Sequence, residues 1–444
     1  MACAKNDNCV DAYNSLGQCH ELGLGTEQDD RCALEWYLRS AEKTQDAEAM
    51  FRIGQMHAQG RVPSQQQADE HNKDLEALQW YRFACDSRNH PRAHYYIGLY
   101  HVHGIRSGHD NTTLLLQPDI PTAIHHFRQA AEQDDRDAMV QVAQLLLFTI
   151  TTTDDADIYY NNDSDNNKNN EHMTIRNTTI TTPTTILEGL QWLERAAQLG
   201  SAEAQCELGK LYHTGKAGLL DQDFERAYDY FCRAAAQKDK TATLFIGTYY
   251  EHGIHVPPNL DLAREWYQNA VDTHPGWWLA ELALARLLHS NHREGCPEAY
   301  QLFKSAHEHA PQETSATMMC ALYELYGWAN VPSRPAEAAT LLLHLAEQQQ
   351  QHGDPKTFLH VAHCYAQGLG LPRDAVKAFE YYGRAVSHYD QDEDDEETET
   401  HVGEALYRLA EFYQHGWDNV VPVDQEKAED LFNLAAQHGM YTQF

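Results

Sequence analysis

One short phrase returns ten times along this chain, and nothing else in the sequence limits its folding so strongly. A small residue is followed, three and four positions later, by a bulky pair. It reads ALEWY (Ala33–Tyr37), ALQWY (Ala77–Tyr81), AIHHF (Ala123–Phe127), GLQWL (Gly189–Leu193) and AYDYF (Ala227–Phe231). It continues as AREWY (Ala263–Tyr267), AYQLF (Ala299–Phe303), ATLLL (Ala339–Leu343), AFEYY (Ala378–Tyr382) and AEDLF (Ala428–Phe432). Successive starts are 44, 46, 66, 38, 36, 36, 40, 39 and 50 residues apart. The step of 36 sets the unit, and longer steps carry insertions.

A second phrase precedes each of these: an apolar residue, a small one, then an aromatic, His or Leu three positions on. Leu16-Gly17 with His20, Ile53-Gly54 with His57, Ile97-Gly98 with His101, Leu208-Gly209 with Tyr212 and Ile246-Gly247 with Tyr250 are examples. Val142-Ala143, Leu284-Ala285, Val361-Ala362 and Leu409-Ala410 are weaker statements, and Leu322-Tyr323 puts a bulky residue where a small one is expected. Apolar residues three or four apart share one helix face. A small residue in mid-helix lets a partner helix come close, which offsets the poor helix propensity of Gly. Gly23, Gly60, Gly104, Gly215, Gly253, Gly368 and Gly416 follow the second phrase, where a helix C-cap is expected. Each unit is therefore helix A, a turn and helix B. A single unit cannot bury its apolar face, but a stack can.

These phrases resemble the Sel1-like repeat, a relative of the tetratricopeptide repeat. The fullest statements are AEAQCELGKLYHTG (Ala202–Gly215) with AYDYFCRAAAQ (Ala227–Gln237), and Ile246–Ala270. The resemblance covers about residues 12–439 of a single array spanning 1–444. It implies an all-α, right-handed α-solenoid of about ten helix-turn-helix repeats. Repeats seven and eight, which hold Leu284-Ala285 and Tyr323, are expected to pack with a different helix spacing. Bacterial relatives with disulfides carry a Cys pair in every repeat, whereas here only Cys19/Cys32 and Cys206/Cys232 suggest one. The other cysteines read as small buried hydrophobes.

Two stretches break the rhythm. Thr151–Thr185, rich in Thr, Asn and Asp, lacks core formers and is expected to be a disordered insertion within repeat four. Asp390–His401 is expected to be an acidic linker between repeats nine and ten, a solvated segment rather than a recruiting tail. A lesser insertion is Asn111–Pro118. Sequons at Asn111, Asn162 and Asn177 fall in these loops, and Asn/Thr-rich loops generate them by chance.

Lys and Arg number 33 against 66 Asp and Glu, a net charge of −33. Such a surface repels phosphate, so nucleic acid is not an expected partner. No apolar run approaches the roughly 20 residues of a membrane span, so membrane insertion is not expected. A protein or peptide partner, basic or apolar, fits. The N-terminus lacks a basic-then-apolar layout. A cytoplasmic location is expected, or the endoplasmic reticulum lumen if a signal lies upstream.

No catalytic, cofactor or metal motif emerges. There is no phosphate-binding glycine loop, GxSxG or HExxH. His101/His103 and the adjacent His125-His126 do not share a helix face. His103, His252 and His415, just before the loop Gly, read as helix-end partners. The residue after the small one is polar in nine repeats of ten: Gln18, Gln55, Leu99, Gln144, Lys210, Thr248, Arg286, Glu324, His363 and Glu411. These are the candidate partner-binding ladder if helix A lines the concave groove, as in related arrays; an outer-wall position is the structural alternative. Trp277, Trp278, Trp328 and Trp417 lie outside the repeat register and are candidate contact aromatics.

The expected function is a non-catalytic protein-interaction adaptor or scaffold, and in eukaryotes the resemblance extends to regulators of membrane-associated complexes. One alternative is a lumenal quality-control adaptor of the Sel1/Hrd3 type. A β-lactamase-like hydrolase, claimed for Cys-rich bacterial relatives, is disfavoured by the missing Cys pairs and nucleophile.

Overall fold

The computed structural model describes residues 12–62, 73–106, 114–148, 183–215, 220–290, 295–348, 354–388, 396–416 and 421–439. Twenty α-helices in ten A–B pairs make up almost all of it. The chain divides into two compact units, Met1–Ala242 and Thr243–Phe444, within the first turn of the eleventh helix.

In the first unit the pairs are α1 (Tyr13–Leu22) with α2 (Asp30–Thr44), and α3 (Ala47–Ala58) with α4 (Lys73–Arg88). Next are α5 (Pro91–His103) with α6 (Ile120–Ala131), α7 (Arg136–Phe148) with α8 (Pro183–Gln198), and α9 (Ala202–Thr214) with α10 (Phe224–Ala235). α11 (Lys240–His252) and α12 (Leu260–Thr273) follow, then α13 (Trp278–Ser290) with α14 (Pro297–His309). The second unit ends with α15 (Thr314–Tyr326) and α16 (Pro335–Gln348), α17 (Pro355–Gln367) and α18 (Ala375–Ser387), and α19 (Glu396–His415) and α20 (Gln425–Gln437). The fold is the all-α solenoid that the repeats imply.

The packing rule is visible at the small residue of helix A. A Cβ added to Gly17, Gly54, Gly98, Gly209 or Gly247 would stand within 2.6 Å of the ring of Tyr37, Tyr81, Phe127, Phe231 or Tyr267. Each ring ends the phrase on helix B of the same repeat and is almost wholly buried. The side-chain-free notch and the ring are therefore complementary shapes. Burying each ring contributes about 2–3 kcal/mol. Two rings also anchor a hydroxyl one helical turn beyond the notch: Tyr37 donates to Glu21 Oε2 and Tyr267 to Glu251 Oε2, both at 2.6 Å.

Repeat eight inverts the arrangement. Tyr323 is fully buried and leans on repeat seven, against Tyr300 (5.6 Å between centroids) and Phe303 (6.0 Å). Its hydroxyl meets His289 Nδ1 at 3.0 Å. Helix B opposite supplies Leu342 and Leu343 in place of an aromatic ring. Bulk lost on helix B is thus regained on helix A.

The A-to-B turns are clamped at both ends. Gly23 and Gly368 cap helix A in the left-handed conformation. Gly104 and Gly215 combine positive φ with ψ near 180°, a region open essentially to glycine alone. At the other end an Asp or Asn caps helix B with its side chain: Asp29, Asp119, Asp223, Asn259, Asp374 and Asp424. The backbone N–H of the same residue donates to a helix-A carbonyl, three positions past the small residue. The acceptors are His20, His101, Tyr212, Tyr250, Tyr365 and Tyr413, at 2.7–3.0 Å. Where that acceptor residue is Tyr212, Tyr365 or Tyr413, a cation from helix B covers its ring: Arg226, Lys377 or Lys427. Two fixed ends allow any loop between them. Repeat three uses this freedom for a small antiparallel hairpin, β1 (Ile105–Arg106) with β2 (Leu114–Leu116).

Two sequence expectations are adjusted. α8 begins at Pro183, a favoured first helical residue, so Pro183–Thr185 belong to the helix rather than to the insertion. α19 begins at Glu396, so Glu396–His401 are helical rather than linker. The remainder of both stretches, the three sequons and Trp417 lie outside the described residues. Cys19, Cys32, Cys206 and Cys232 are free thiols, so neither suggested pair is bonded.

The notch makes a signed prediction. Gly209→Ala should destabilise the protein by about 1–3 kcal/mol, because the methyl must displace the Phe231 ring. Gly383→Ala, within α18 with open space around its Cβ, should stabilise it by about 0.5–1 kcal/mol. Urea unfolding of both variants checks the pair, and the same sign for both would refute the notch as the packing determinant.

Candidate functional site

Two ladder residues, Gln144 and His363, lie at the seam between consecutive A helices. Arg286 is exposed, His363 is buried, and the others are partly buried. Several hold a partner three positions earlier on their own helix. Arg52 Nη1 reaches Gln55 Oε1 at 3.5 Å and Gln141 Nε2 reaches Gln144 Oε1 at 3.1 Å. Lys210 Nζ donates to Glu207 Oε1 at 2.9 Å, and Arg408 Nη1 to Glu411 Oε2 at 3.0 Å. Thr248 donates to the Leu244 carbonyl at 3.2 Å, and Glu324 accepts from the Tyr300 hydroxyl at 2.8 Å.

Other ladder contacts cross to the next repeat. Gln144 Nε2 donates to Glu203 Oε1 at 3.3 Å, and His363 Nε2 lies 3.4 Å from Glu404 Oε1. In both cases the acceptor stands seven residues before the ladder residue of the following helix A. These positions therefore face a neighbouring helix as well as water. That second role was hidden in the sequence, because a polar residue repeated at one register reads the same in either case.

In the first unit the seam gathers negative charge. Burial raises the Glu203 carboxyl above its ordinary range, and Glu207 and Asp137 beside it push the same way. Lys210 pairs with Glu207, and Arg92 reaches Asp137 at 2.7 Å and Asp135 at 3.5 Å. Trp277 and Trp278 are partly buried at the start of α13. Trp277 sits edge-on to His274, and Trp278 packs on the repeat-seven core. Trp328 stacks on Tyr326 at 5.3 Å.

The fold also joins histidines that the sequence keeps apart. His94 of α5 and His126 of α6 meet Nδ1 to Nδ1 at 2.8 Å. His94 Nε2 contacts Asn89 Oδ1 at 2.6 Å. Since that oxygen can only accept, His94 carries its proton on Nε2, and His126 donates from Nδ1 to the bare His94 Nδ1. Burial lowers both imidazoles to about 4; neighbouring His125 adds to the effect at both, and His94 adds to it at His126. Their cleft is lined by Arg82, Cys85, Asp86, Asn89, His125 and Gln129. Burial raises the Cys85 thiol to about 12, which makes it a poor nucleophile. His252 Nδ1 meets the Thr248 carbonyl in its own last turn, at 3.1 Å. Among the described residues, no three His, Cys, Asp or Glu side chains are placed so that they could hold a metal ion. No described helix is long and apolar enough to cross a membrane.

Comparison with known proteins agrees with this architecture. The Sel1 repeat family matches residues 10–44, 47–89, 91–135, 186–201, 202–239, 241–272, 359–390 and 403–440. Repeats seven and eight, where Ala285 and Tyr323 replace the notch glycine, are unmatched, yet both fold as helix pairs. A chitin synthase regulator of Saccharomyces cerevisiae is 25% identical over 271 residues, 61% of this chain and 33% of the relative. A component of an ERAD-associated E3 ubiquitin-protein ligase in Arabidopsis thaliana is 31% identical over 94 residues, 21% of this chain and 14% of the relative. The chain spans between 22% and 58% of the length of the first curated relatives it matches. A protective antigen with an SLR fold from uropathogenic Escherichia coli superposes with a TM-score of 0.68 at 18% identity, covering 98% of this chain and 77% of the other.

The His94–His126 pair predicts a pH dependence. An unfolded imidazole titrates near 6.5, whereas these two, lowered to about 4, stay neutral in the fold. Between those values the unfolded chain binds more protons, so stability falls as pH drops from about 6.5 toward 4. The cost is on the order of 1 kcal/mol per imidazole between pH 7 and 5. Urea midpoints of wild type and a His94→Gln/His126→Gln variant should show a shallower pH slope in the variant. Equal slopes would mean that the pair titrates as it does unfolded.

Proposed function

The chain belongs to the Sel1 repeat family, and on that premise we propose that it is an interaction scaffold that holds a protein segment along its A helices. The carrying observation is the ladder and its acidic seam. The small residue and its ring are consumed by packing, so the next residue, at least partly exposed in nine repeats of ten, is the first available to a ligand. In the first unit Asp137, Glu203 and Glu207 crowd one stretch of that seam, and burial and their mutual repulsion raise the Glu203 carboxyl. A basic segment laid there would relieve the repulsion. The chain-wide charge of −33 favours the same class of partner.

The relatives named as chitin synthase regulators support a regulatory role, which we extend to a membrane-associated complex. A second reading, a lumenal quality-control adaptor, is favoured by the short match to the plant ligase component. A non-catalytic role accords with relatives named as regulators and complex components. Cytoplasmic placement is part of the first reading, lumenal placement of the second.

The test is affinity capture with mass spectrometry, comparing wild type with a Gln55→Lys, Gln144→Lys, Glu324→Lys, Glu411→Lys variant of unchanged helicity. Partners retained by wild type and lost by the variant are expected, with a basic segment in the captured protein. Identical recovery by both chains would remove the ladder from the binding surface, and absence of any saturable partner would remove the scaffold reading.

A further inference from the structure

The cleft beside the His94–His126 pair lies between helix B of repeat two and the helix pair of repeat three. Its volume is about 340 Å³, within the range of small-molecule sites. Arg82 of α4 lines it and makes no hydrogen bond or ion pair among the described residues. That sets it apart in a chain with 66 acidic and 33 basic residues. Arg52, Arg61, Arg92 and Arg128, in the same two repeats, each hold a carboxylate. Asp86 follows Arg82 by one helical turn, the spacing of a helical ion pair, yet the two are not paired.

We propose that this cleft binds a small oxyanion, a carboxylate or phosphate group held by Arg82, His125 and His126, and binds it more tightly as pH falls. A free guanidinium presents a planar fork of donors matched to such a group. The part of the imidazoles follows from their tautomers. His126 gives its Nδ1 proton to His94, and its Nε2 has no partner among the described residues. In the neutral ring that nitrogen is bare; once protonated it is a second donor to the cleft. His125, exposed on the same rim, supplies another. The Asn89 side-chain oxygen is taken by His94, which leaves the amide N–H groups of Asn89 to donate.

The charges around these rings set the sign of the pH dependence. Burial is the main reason that His94 and His126 stay neutral. Positive neighbours add to it: His125 and His90 at His94, and His94, His125, His101 and Arg82 at His126. An anion in the cleft opposes that repulsion and so favours protonation. By linkage, protonation favours the anion to the same extent. Two carboxylates also face the rings, Asp86 toward His94 and Asp119 toward His101. Each favours a proton on its own ring and is offset there, which leaves Arg82 and His126 for the ligand. His101 is 8% exposed, its buried Nδ1 is unpartnered, and its ring stacks on His126 at 6.1 Å between centroids. It is a further nitrogen that takes up a proton when negative charge enters. No ladder residue lines the cleft, so the site stands or falls apart from the scaffold reading.

The test is calorimetric titration of the full chain with sodium tartrate and, separately, sodium phosphate, at about pH 5.5 and about pH 7.5. Sodium chloride of equal ionic strength is the control for screening. Wild type should bind one of the two oxyanions at a single site, at least about threefold more tightly at the lower pH. Tighter tartrate assigns a carboxylate ligand and tighter phosphate a phosphate ligand, and either result supports the site. Arg82→Gln, an exposed position, should weaken binding by at least about tenfold at both pH values, the scale of a lost charge-assisted hydrogen bond. His126→Gln should keep binding at the higher pH and lose the tightening at the lower. Arg233→Gln, which removes an arginine paired with Asp229 on α10, should bind as wild type does. Circular dichroism confirms that each variant folds. No saturable binding of either oxyanion, an unchanged affinity in Arg82→Gln, or equal pH dependence in wild type and His126→Gln would overturn the proposal.

Discussion

The structure depends on one contact made repeatedly: an aromatic ring of helix B seated in a notch left by a missing side chain on helix A. The two halves are individually unfavourable or neutral. Glycine in mid-helix lowers helix stability by roughly 0.5–1 kcal/mol against alanine, and a lone aromatic on a surface helix gains little. Together they bury a ring almost completely at Tyr37, Tyr81, Phe127, Phe231 and Tyr267 and draw the two helices into close approach. Bulk opposite the notch must match it. Tyr323 shows the rule by exception: where helix B carries leucines in place of a ring, the large residue of helix A packs its own ring into the preceding repeat.

Because the ring and notch fix the pair, the turn between the helices is released from any packing duty. A glycine ends helix A, and an Asp or Asn starts helix B while its N–H returns to a helix-A carbonyl. The clamp closes the loop locally, and loop-closure cost grows only slowly with length. This is why steps of 36 to 66 residues can coexist in one array without altering the pairs around them. Tyrosine at the clamp carbonyl gains a covering cation from helix B in repeats five, nine and ten.

Much of this was legible in the sequence, since it repeats at fixed spacing. The ten pairs, the notch residues and the loop glycines all follow from period and residue size. The seam between A helices was not legible, for a geometrical reason. His363 meets Glu404 and Gln144 meets Glu203, partners 41 and 59 residues away whose pairing depends on how one helix is staggered against the next. Insertions vary that offset along the chain, so a single spacing does not reveal it. His94 and His126 are similarly joined through the α5–α6 contact, which leaves no periodic trace. Residues outside the register, such as Trp277 and Trp278, could be marked as unusual, but only coordinates show them partly buried at a helix start.

A division of labour within each repeat follows. Positions that make the array are small, aromatic or capping, and a substitution there is felt by the whole stack. Several ladder residues, and Glu203 and Glu404 seven before the following one, are instead held by polar partners on their own or a neighbouring helix. Side chains of this kind are ordered before any ligand arrives, which reduces the entropy lost on binding. They can also change identity from repeat to repeat without disturbing the fold: Gln55, Lys210, Glu324 and His363 occupy equivalent places. In the proposed scaffold, specificity is written along the seam, one side chain per repeat, while the requirements of the fold lie elsewhere.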